Sequence, residues 1–168
     1  MPYSLWLMFE EGASADLSSD ISALAALLGG AAFPPHLTLI GDMVLGIEEA
    51  EAVAGTFKGH VPERLHLTGL ETSASYFMAV HAAVRLPNRL DRLRVETARK
   101  IHGAGVALDA PHVSLAYGTY PPEQLRRASA MLEKKYASRQ LPVGGLSIVR
   151  SAKSIPIVDW KPIRHLET

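Results

Sequence analysis

The spacing of apolar residues along the chain predicts strands that alternate with helices. Tyr3 to Phe9 alternates in the manner of a strand whose two faces are both largely covered. A polar segment over residues 10–15 follows, and from Asp16, its predicted N-cap, apolar residues recur at helical spacing as far as Gly29-Gly30. Pro34-Pro35 then forces an extended entry into a second strand. The first unit is therefore strand, helix, strand.

The same order of elements returns in the second half of the chain. Tyr76 to Leu86 alternates as a long strand, and a helix ended by Gly103 comes next. The predicted inward stripe of that helix is Leu86, Leu90, Leu93, Thr97 and Ile101. A last helix begins at Pro121-Pro122, where proline is favoured. The other predicted elements are a helix over 47–57, a strand over 65–70, and a closing hairpin over 141–149 and 154–160.

This pattern favours an α+β fold over a doubly wound parallel sheet, because the strands outnumber the helices between them. A duplicated sandwich fits the repeated order of elements. No linker, low-complexity run or block of charge separates the halves. We therefore expect residues 1–168 to form a single domain made of two lobes.

The second strand of each unit carries the same short motif. Pro35-His36-Leu37-Thr38-Leu39 returns 76 residues later as Pro111-His112-Val113-Ser114-Leu115. Because side chains alternate faces along a strand, the histidine and the hydroxyl residue of each copy share one face, and the apolar residues lie on the other. If the two strands lie side by side, two histidines and two hydroxyls line one cleft.

Composition narrows the classes of chemistry. The chain of 168 residues contains no cysteine, which excludes disulfides, thiolate nucleophiles and cysteine-based metal centres. Its 17 basic and 17 acidic side chains balance, so nothing indicates a broad surface for long nucleic acid. No stretch approaches the roughly 20 apolar residues of a membrane helix. We expect a cytoplasmic protein that does not bind membranes and is a monomer.

Two imidazoles across a cleft suit acid–base catalysis at neutral pH. Histidine has an unperturbed pKa of about 6.5, so one ring can take a proton from water while the other gives a proton to a leaving oxygen. The hydroxyls of Thr38 and Ser114 are placed to bind a phosphoryl oxygen. Only Asp109 lies near His112 in sequence, and one carboxylate does not make a metal site. The sequence therefore predicts phosphodiester chemistry with no metal and no other cofactor.

The paired motifs resemble the two H-x-(T/S)-x signatures of the 2H phosphoesterase superfamily. The details look most like its cyclic phosphodiesterase branch, and the likeness covers nearly the whole chain. It includes the opening Tyr3-Ser4-Leu5-Trp6, the extended second motif 112–118, and the closing segments Leu146-Ser147-Ile148-Val149 and Val158-Asp159-Trp160. Some relatives carry disulfides, which this chain cannot form.

The resemblance implies a bilobal, pseudo-twofold symmetric fold, with two antiparallel sheets around a central cleft and helices on the outer faces. It implies that His36 and His112 open a cyclic phosphate, that Thr38 and Ser114 hold the phosphate, and that Tyr117 contacts the phosphate or the water. Which histidine is the base stays open. The expected partner is a small cyclic-phosphate nucleotide, either a nucleoside 2′,3′-cyclic phosphate or ADP-ribose 1″,2″-cyclic phosphate, the substrates of plant and fungal relatives.

Two other functions remain as alternatives. One is an RNA 2′,3′-cyclic phosphodiesterase or 2′-5′ RNA ligase type of enzyme acting on RNA ends, which the zero net charge disfavours. The other is a nucleotide-binding module without catalysis, which would have no need of an acid–base pair.

Several further residues are weaker candidates for the site. His66-Leu67-Thr68 also fits H-x-T but lacks the preceding proline, so a half-buried strand is the better interpretation. Trp6 is a candidate for stacking on a base, though a strand tryptophan is more often core, and Lys153 and Arg85 are candidate phosphate contacts. The remaining histidines show no metal-ligand spacing and are interpreted as structural or surface residues; they are His60, His81, His102 and His165.

Overall fold

Seven strands and five helices follow one another along residues 1–168 of the computed structural model. The strands are β1 Pro2–Phe9, β2 Leu37–Val44, β3 Arg64–Thr72, β4 Val80–Arg85, β5 His112–Ala116, β6 Arg139–Arg150 and β7 Lys161–Leu166. The helices are α1 Glu11–Leu28, α2 Ile47–Phe57, α3 Asn88–His102, α4 Pro122–Ala130 and α5 Glu133–Tyr136. All strand pairs are antiparallel. The predicted α+β class is confirmed.

The strands form one sheet that closes on itself. β1 pairs with β2 and with the C-terminal part of β6, and β4 pairs with β3 and β5. The two motif strands, β2 and β5, meet through the single pair Leu37 and Val113. On the opposite side of the ring, the N-terminal part of β6 pairs with β3. The structure thus differs from the two separate sheets that were expected, because β6, with 12 residues, is long enough to pair with both halves.

The pairing places equivalent strands in equivalent surroundings. β1 and β4 each lie beside the motif strand of their own half, and on its other edge each pairs with the last strand of the other half. This arrangement is compatible with the predicted duplication and pseudo-twofold symmetry, which stay predictions.

The buried face of each motif strand anchors it in the core. Leu37 and Val113 are fully buried, and so are Leu39 and Leu115, within a cluster of 33 buried hydrophobic residues. Because neighbouring side chains alternate, this anchoring turns the histidine and hydroxyl residues of both motifs to the opposite face. The buried apolar residues of each motif therefore determine the face on which its histidine and hydroxyl residue lie.

The first helix begins earlier than predicted. It starts at Glu11 rather than after an N-cap at Asp16, since the segment that follows Glu10 continues the helix without a break. Asp16 lies inside the helix, where its carboxylate accepts hydrogen bonds from Lys135 Nζ at 2.8 Å and from Arg139. The polar residue that suggested a helix start instead joins α1 to the segment before β6.

Two predicted strands are shorter than the alternation suggested. Tyr76–Met78 is a 3₁₀ turn, so β4 begins only at Val80. Ile157–Asp159 is also a 3₁₀ turn, and the second strand of the closing hairpin, predicted over 154–160, starts at Lys161. Phe77 and Met78 of the first turn line the cavity described below, as does Trp160, which directly follows the second turn.

The buried face of α3 also differs from the predicted stripe. Its buried residues are Leu90, Arg94 and Ala98, spaced four apart, whereas Leu93 and Ile101 are only half-buried. The last predicted helix is divided into α4 and α5. None of the five helices combines the length and the apolar character needed to cross a membrane.

Candidate active site

A cavity of about 370 Å³ opens where the two motif strands meet. All five residues singled out in the sequence line it, namely His36, Thr38, His112, Ser114 and Tyr117. The pair Leu37 and Val113 sets this geometry, because in an antiparallel register it puts His36 opposite Ser114 and Thr38 opposite His112. The two histidines therefore lie diagonally across the strand junction, each beside the hydroxyl residue of the other motif.

Both histidines are held in the same tautomer by their own backbone. His36 Nδ1 lies 2.6 Å from the carbonyl oxygen of Pro34, and His112 Nδ1 lies 2.8 Å from that of Ala110. A carbonyl oxygen can only accept, so Nδ1 carries the hydrogen in each ring. Nε2 of each neutral ring is consequently free to accept a proton.

The surroundings of His36 are aromatic and dry. Its ring stacks on Trp6 with centroids 3.5 Å apart and planes 8° from parallel, and it is 6% exposed. Trp6 pairs with Thr38 across β1 and β2, so His36 is its diagonal neighbour on the same face. The indole is 2% exposed and its face is occupied by His36. Trp6 is therefore part of the histidine's support, and the sequence-based suggestion that it stacks on a base finds no free ring face here.

His112 is half-buried and has a polar neighbour. The ring of His81 lies 5.4 Å away at 72°. His81 pairs with Ser114 across β4 and β5, which makes it the diagonal neighbour of His112, as Trp6 is of His36. Its Nδ1 lies 3.0 Å from the Met78 carbonyl and its Nε2 lies 3.2 Å from a carboxylate oxygen of Glu71. Both nitrogens of His81 thus lie within hydrogen-bonding distance of oxygen acceptors.

Burial lowers the pKa of both candidate catalytic histidines. For His36 the loss of solvation lowers the pKa to about 4, the Pro34 carbonyl opposes this, and the charge of His112 adds to it. For His112 burial again lowers the pKa, and the positive charges of His81 and Arg94 act in the same direction. The Ala110 carbonyl and the Asp109 carboxylate oppose the shift. At neutral pH the ring of His36 is therefore uncharged.

The two hydroxyls of the motifs differ in their hydrogen bonds. Ser114 is buried and its Oγ donates to the carbonyl oxygen of Phe77 at 2.6 Å. Thr38 is half-buried and lines the cavity, and its hydroxyl makes no such bond. In this arrangement Thr38 has its hydrogen available for a ligand, and Ser114 uses its own to hold the turn that carries Phe77.

Tyr117 is part of an aromatic group at one end of the cavity. Phe33 stacks on it with centroids 3.6 Å apart, and Phe77 and Trp160 meet it nearly at right angles. Burial raises the pKa of Tyr117, so its hydroxyl stays protonated and can donate to an anion at neutral pH.

Another part of the cavity wall is formed by α3 and by the segments that follow α3 and β6. Arg94, His102 and Lys153 belong to this part. Arg94 is 7% exposed; its guanidinium donates to Asp91 and, at 3.3 Å, to the carbonyl oxygen of Asp109. His102 Nε2 donates to the carbonyl oxygen of Gly41 at 2.9 Å. The i, i+4 spacing of Arg94 with Leu90 and Ala98 was the only sequence signal that placed an arginine on an inward face.

The other residues weighed in the sequence lie elsewhere. His66 is half-buried on β3, where it pairs with Arg85 and Gln140, and neither His66 nor Arg85 lines the cavity. His60 and His165 are also outside it. No group of three or more histidine, aspartate or glutamate side chains is arranged to hold a metal ion.

Comparison with known proteins gives matches in structure but not in sequence. No protein-family model and no curated protein matches the sequence. A crystal structure described as a phosphoesterase superposes with a TM-score of 0.56 at 16% identity, covering 99% of this chain and 97% of that one. Escherichia coli LigT superposes in its apo form with a TM-score of 0.52 at 16% identity, and in its complex with ATP with 0.51 at 19% identity. Both LigT matches cover 99% of this chain and 98% of the other.

The chain shares its fold with these phosphoesterase and LigT structures. The match extends over the full length of the chain, so it includes both motif strands, the cavity between them and the closing hairpin. His36 and His112 both line the cavity, and their catalytic roles stay predictions.

Proposed function

We propose that this protein adds water to a small ribose cyclic phosphate and releases a phosphomonoester, with His36 and His112 as base and acid. The proposal rests on one observation: a backbone carbonyl fixes the same tautomer in both histidine rings. Each ring gives its Nδ1 hydrogen to the carbonyl two residues earlier, which leaves two proton-accepting Nε2 atoms in one cavity. A binding protein would gain nothing from fixing both rings in this way.

The environments of the rings suggest which of them is the base. His36 is neutral down to a pKa of about 4, so it is ready to accept a proton from water. Burial also lowers the pKa of His112, but this ring is less enclosed, and the Ala110 carbonyl and the Asp109 carboxylate oppose the shift, as would the charge of a bound phosphate. We therefore assign His36 as the base and His112 as the acid.

The reaction balances with these two residues and one water. A water proton passes to His36 Nε2 while the water oxygen forms a bond to phosphorus. The bond from phosphorus to one ribose oxygen breaks, and His112 gives its Nε2 proton to that oxygen. Proton exchange with solvent restores the pair. Thr38 and the protonated Tyr117 are the donors to the phosphoryl oxygens, where charge increases in the transition state.

The comparisons support a nucleotide as the substrate. E. coli LigT, which shares the fold, has been crystallised with ATP and with NADP+, at TM-scores of 0.51 in both cases. The size of the cavity, about 370 Å³, lies in the usual range for small-molecule sites.

The test is hydrolysis followed by phosphorus NMR in the presence of EDTA. The substrates are 2′,3′-cyclic AMP, ADP-ribose 1″,2″-cyclic phosphate and a short RNA with a 2′,3′-cyclic end. We expect the wild type and His66→Ala to open a mononucleotide substrate, and His36→Ala and His112→Ala to lose activity by roughly 10²- to 10⁴-fold. Loss of activity in EDTA would disprove the metal-independent mechanism. Preference for the RNA would favour the RNA-end alternative, and binding without turnover would reduce the protein to a nucleotide-binding module.

A further inference from the structure

The backbone that fixes the tautomer of His112 has few hydrogen bonds of its own. The carbonyl of Ala110 belongs to residues 107–110, which precede the second motif and are all exposed. These four residues make two hydrogen bonds. His112 Nδ1 donates to the Ala110 carbonyl, and Arg94 Nη1 donates to the Asp109 carbonyl at 3.3 Å. Arg94 is therefore the partner outside the motif that holds this stretch.

The corresponding carbonyl of the first motif is held in another way. His36 follows Pro34-Pro35, and the two proline rings restrict φ at both positions. Phe33, the residue before them, is 6% exposed and stacks on Tyr117. The second motif has Ala110 where the first has a proline, and no buried aromatic residue precedes it. The stretch before His112 thus depends on a contact from elsewhere in the fold.

Arg94 has the geometry for such a contact. It lies on the buried face of α3, is 7% exposed and lines the cavity. Its Nε and Nη2 lie 3.1 and 3.0 Å from one carboxylate oxygen of Asp91, three residues earlier on the same helix. Because the guanidinium is planar, these two bonds fix its plane, and Nη1 points to the Asp109 carbonyl. The helix thereby supports the backbone next to Ala110.

The charge of Arg94 does not explain its position beside a candidate acid. Burial is the largest cause of the lowered pKa of His112, and the positive charge of Arg94 adds to it, which disfavours the protonated ring. The hydrogen bond acts in the opposite sense. When His112 gives up its Nε2 proton, the ring that remains is the Nδ1–H tautomer, which the Ala110 carbonyl holds. Support of this carbonyl is the contribution that suits the reaction.

We propose that Arg94 is a positioning residue for His112. By holding the Asp109 carbonyl it restricts the next carbonyl, that of Ala110, and through it the tautomer and orientation of the ring. Arg94 thus has the part that the second proline has before His36. The effect on catalysis rests on the proposed function, in which His112 is the acid.

The first test determines the tautomer of each ring by NMR of the protein labelled with ¹⁵N-histidine. At pH 8 both rings are uncharged, because burial lowers the pKa of each. The two imidazole ¹⁵N shifts distinguish Nδ1–H from Nε2–H. In Arg94→Met we expect His112 to become a mixture of both tautomers, while His36 stays Nδ1–H and serves as the internal reference. Arg92→Met is the matched control, since Arg92 is exposed on the same helix and does not line the cavity, and it should give the wild-type spectrum.

The second test adds kinetics and a rescue. We expect Arg94→Met to lower kcat for 2′,3′-cyclic AMP by roughly 10- to 100-fold with little change in KM. Ala110→Pro gives the second motif the two prolines of the first, and the N–H that it removes makes no hydrogen bond. Added to Arg94→Met, it should restore the single tautomer of His112 and most of kcat. Circular dichroism confirms folding, and if Arg94→Met does not fold, Arg94→Lys, which keeps the charge without the planar fork, replaces it.

The NMR result separates this proposal from the function itself, because it needs no turnover. If the wild type opens no cyclic phosphate but His112 loses its single tautomer in Arg94→Met, the positioning of the ring stands and the hydrolase fails. If His112 keeps the Nδ1–H tautomer without Arg94, or if His36 changes together with it, the proposal is wrong and Arg94 only supports the fold. A changed tautomer with an unchanged kcat would overturn the catalytic part. Failure of the rescue, when Ala110→Pro alone leaves the tautomer intact, would overturn the comparison with the first motif.

Discussion

The two motif copies have nearly the same sequence but different neighbours. On the strand beside each motif, the residue opposite the hydroxyl is Trp6 in the first half and His81 in the second. Trp6 lies flat on His36 and excludes water from it, whereas His81 meets His112 at right angles and is itself bonded to Met78 and Glu71. A near-symmetric motif therefore supplies two different imidazoles, one dry and neutral and one more polar. Under the proposed assignment, the flanking strands account for the difference between base and acid.

The strongest test of the difference between His36 and His112 is a substrate whose leaving group needs no proton. With a 4-nitrophenyl ester of a nucleoside phosphate, the leaving group departs without a proton. We expect His112→Ala to retain most of the wild-type rate on this ester while it loses roughly 10²- to 10⁴-fold on 2′,3′-cyclic AMP. His36→Ala should be impaired on both substrates, because water still requires a base. Steady-state rates for the two substrates give the ratio directly.

The opposite pattern of rates on the two substrates would reverse the assignment of base and acid. If His36→Ala is the variant that the nitrophenyl ester rescues, His36 is the acid and its burial has another purpose. His66→Ala, which changes a histidine of the same local pattern outside the cavity, is the control and should follow the wild type on both substrates.

The pH dependence of the free energy of unfolding gives a second measure of how far His36 is shielded from water. Its pKa is about 4 in the folded protein and about 6.5 in an unfolded chain, so the unfolded state binds more protons between these values. The free energy of unfolding therefore decreases as the pH falls from 6.5 towards 4. His36 accounts for up to about 3 kcal/mol of this decrease. In His36→Gln, which does not titrate, urea unfolding at pH 7 and pH 4.5 should show a correspondingly smaller loss. His112→Gln is the comparison, and an equal effect there would mean that the two rings are equally buried.

The hydroxyls of Thr38 and Ser114 also differ, because only that of Ser114 donates a hydrogen bond within the protein. Thr38→Val removes a hydroxyl that faces the cavity without an internal bond, and we expect roughly a hundredfold loss in kcat with little change in the free energy of unfolding. Ser114→Ala removes the donor to the Phe77 carbonyl, so we expect about 1 kcal/mol of lost stability and a higher KM for nucleotides. Urea titrations and steady-state kinetics on 2′,3′-cyclic AMP separate the two. A kcat loss in Ser114→Ala equal to that in Thr38→Val would show that Ser114 leaves Phe77 and donates to the phosphate.

The sequence was sufficient to predict the features that depend on the alternation of apolar and polar residues along a strand. The apolar residues of the two motifs fix which face His36, Thr38, His112 and Ser114 present, and adjacency of the motif strands brings the four together. The α+β class followed from the count of strands and helices. Roles for these residues remain predictions, because geometry alone does not measure turnover.

The neighbours of the motifs could not be predicted, since they depend on strand register. Nothing in the sequence states that Trp6 pairs with Thr38 or His81 with Ser114, and a shift of one residue would have turned both side chains away. His81 was accordingly interpreted as structural or surface. The turn at Tyr76–Met78 was also predicted as strand, because its aromatic and apolar residues continue the alternation of β4, although two of them, Phe77 and Met78, line the cavity.

The smallest expected effect concerns His81 as a positioning residue for His112. Its positive charge, together with that of Arg94, lowers the pKa of His112, while Asp109 opposes them. In His81→Gln this repulsion is absent, so the pKa of His112 rises towards its ordinary value. Because the acid must be protonated, the alkaline limb of the pH profile of kcat/KM should move to higher pH, by less than about one unit. The acid limb, set by His36, should stay in place. A merely structural role for His81 would lower kcat/KM at every pH by the same factor, and a shift of the alkaline limb to lower pH would contradict the electrostatic role.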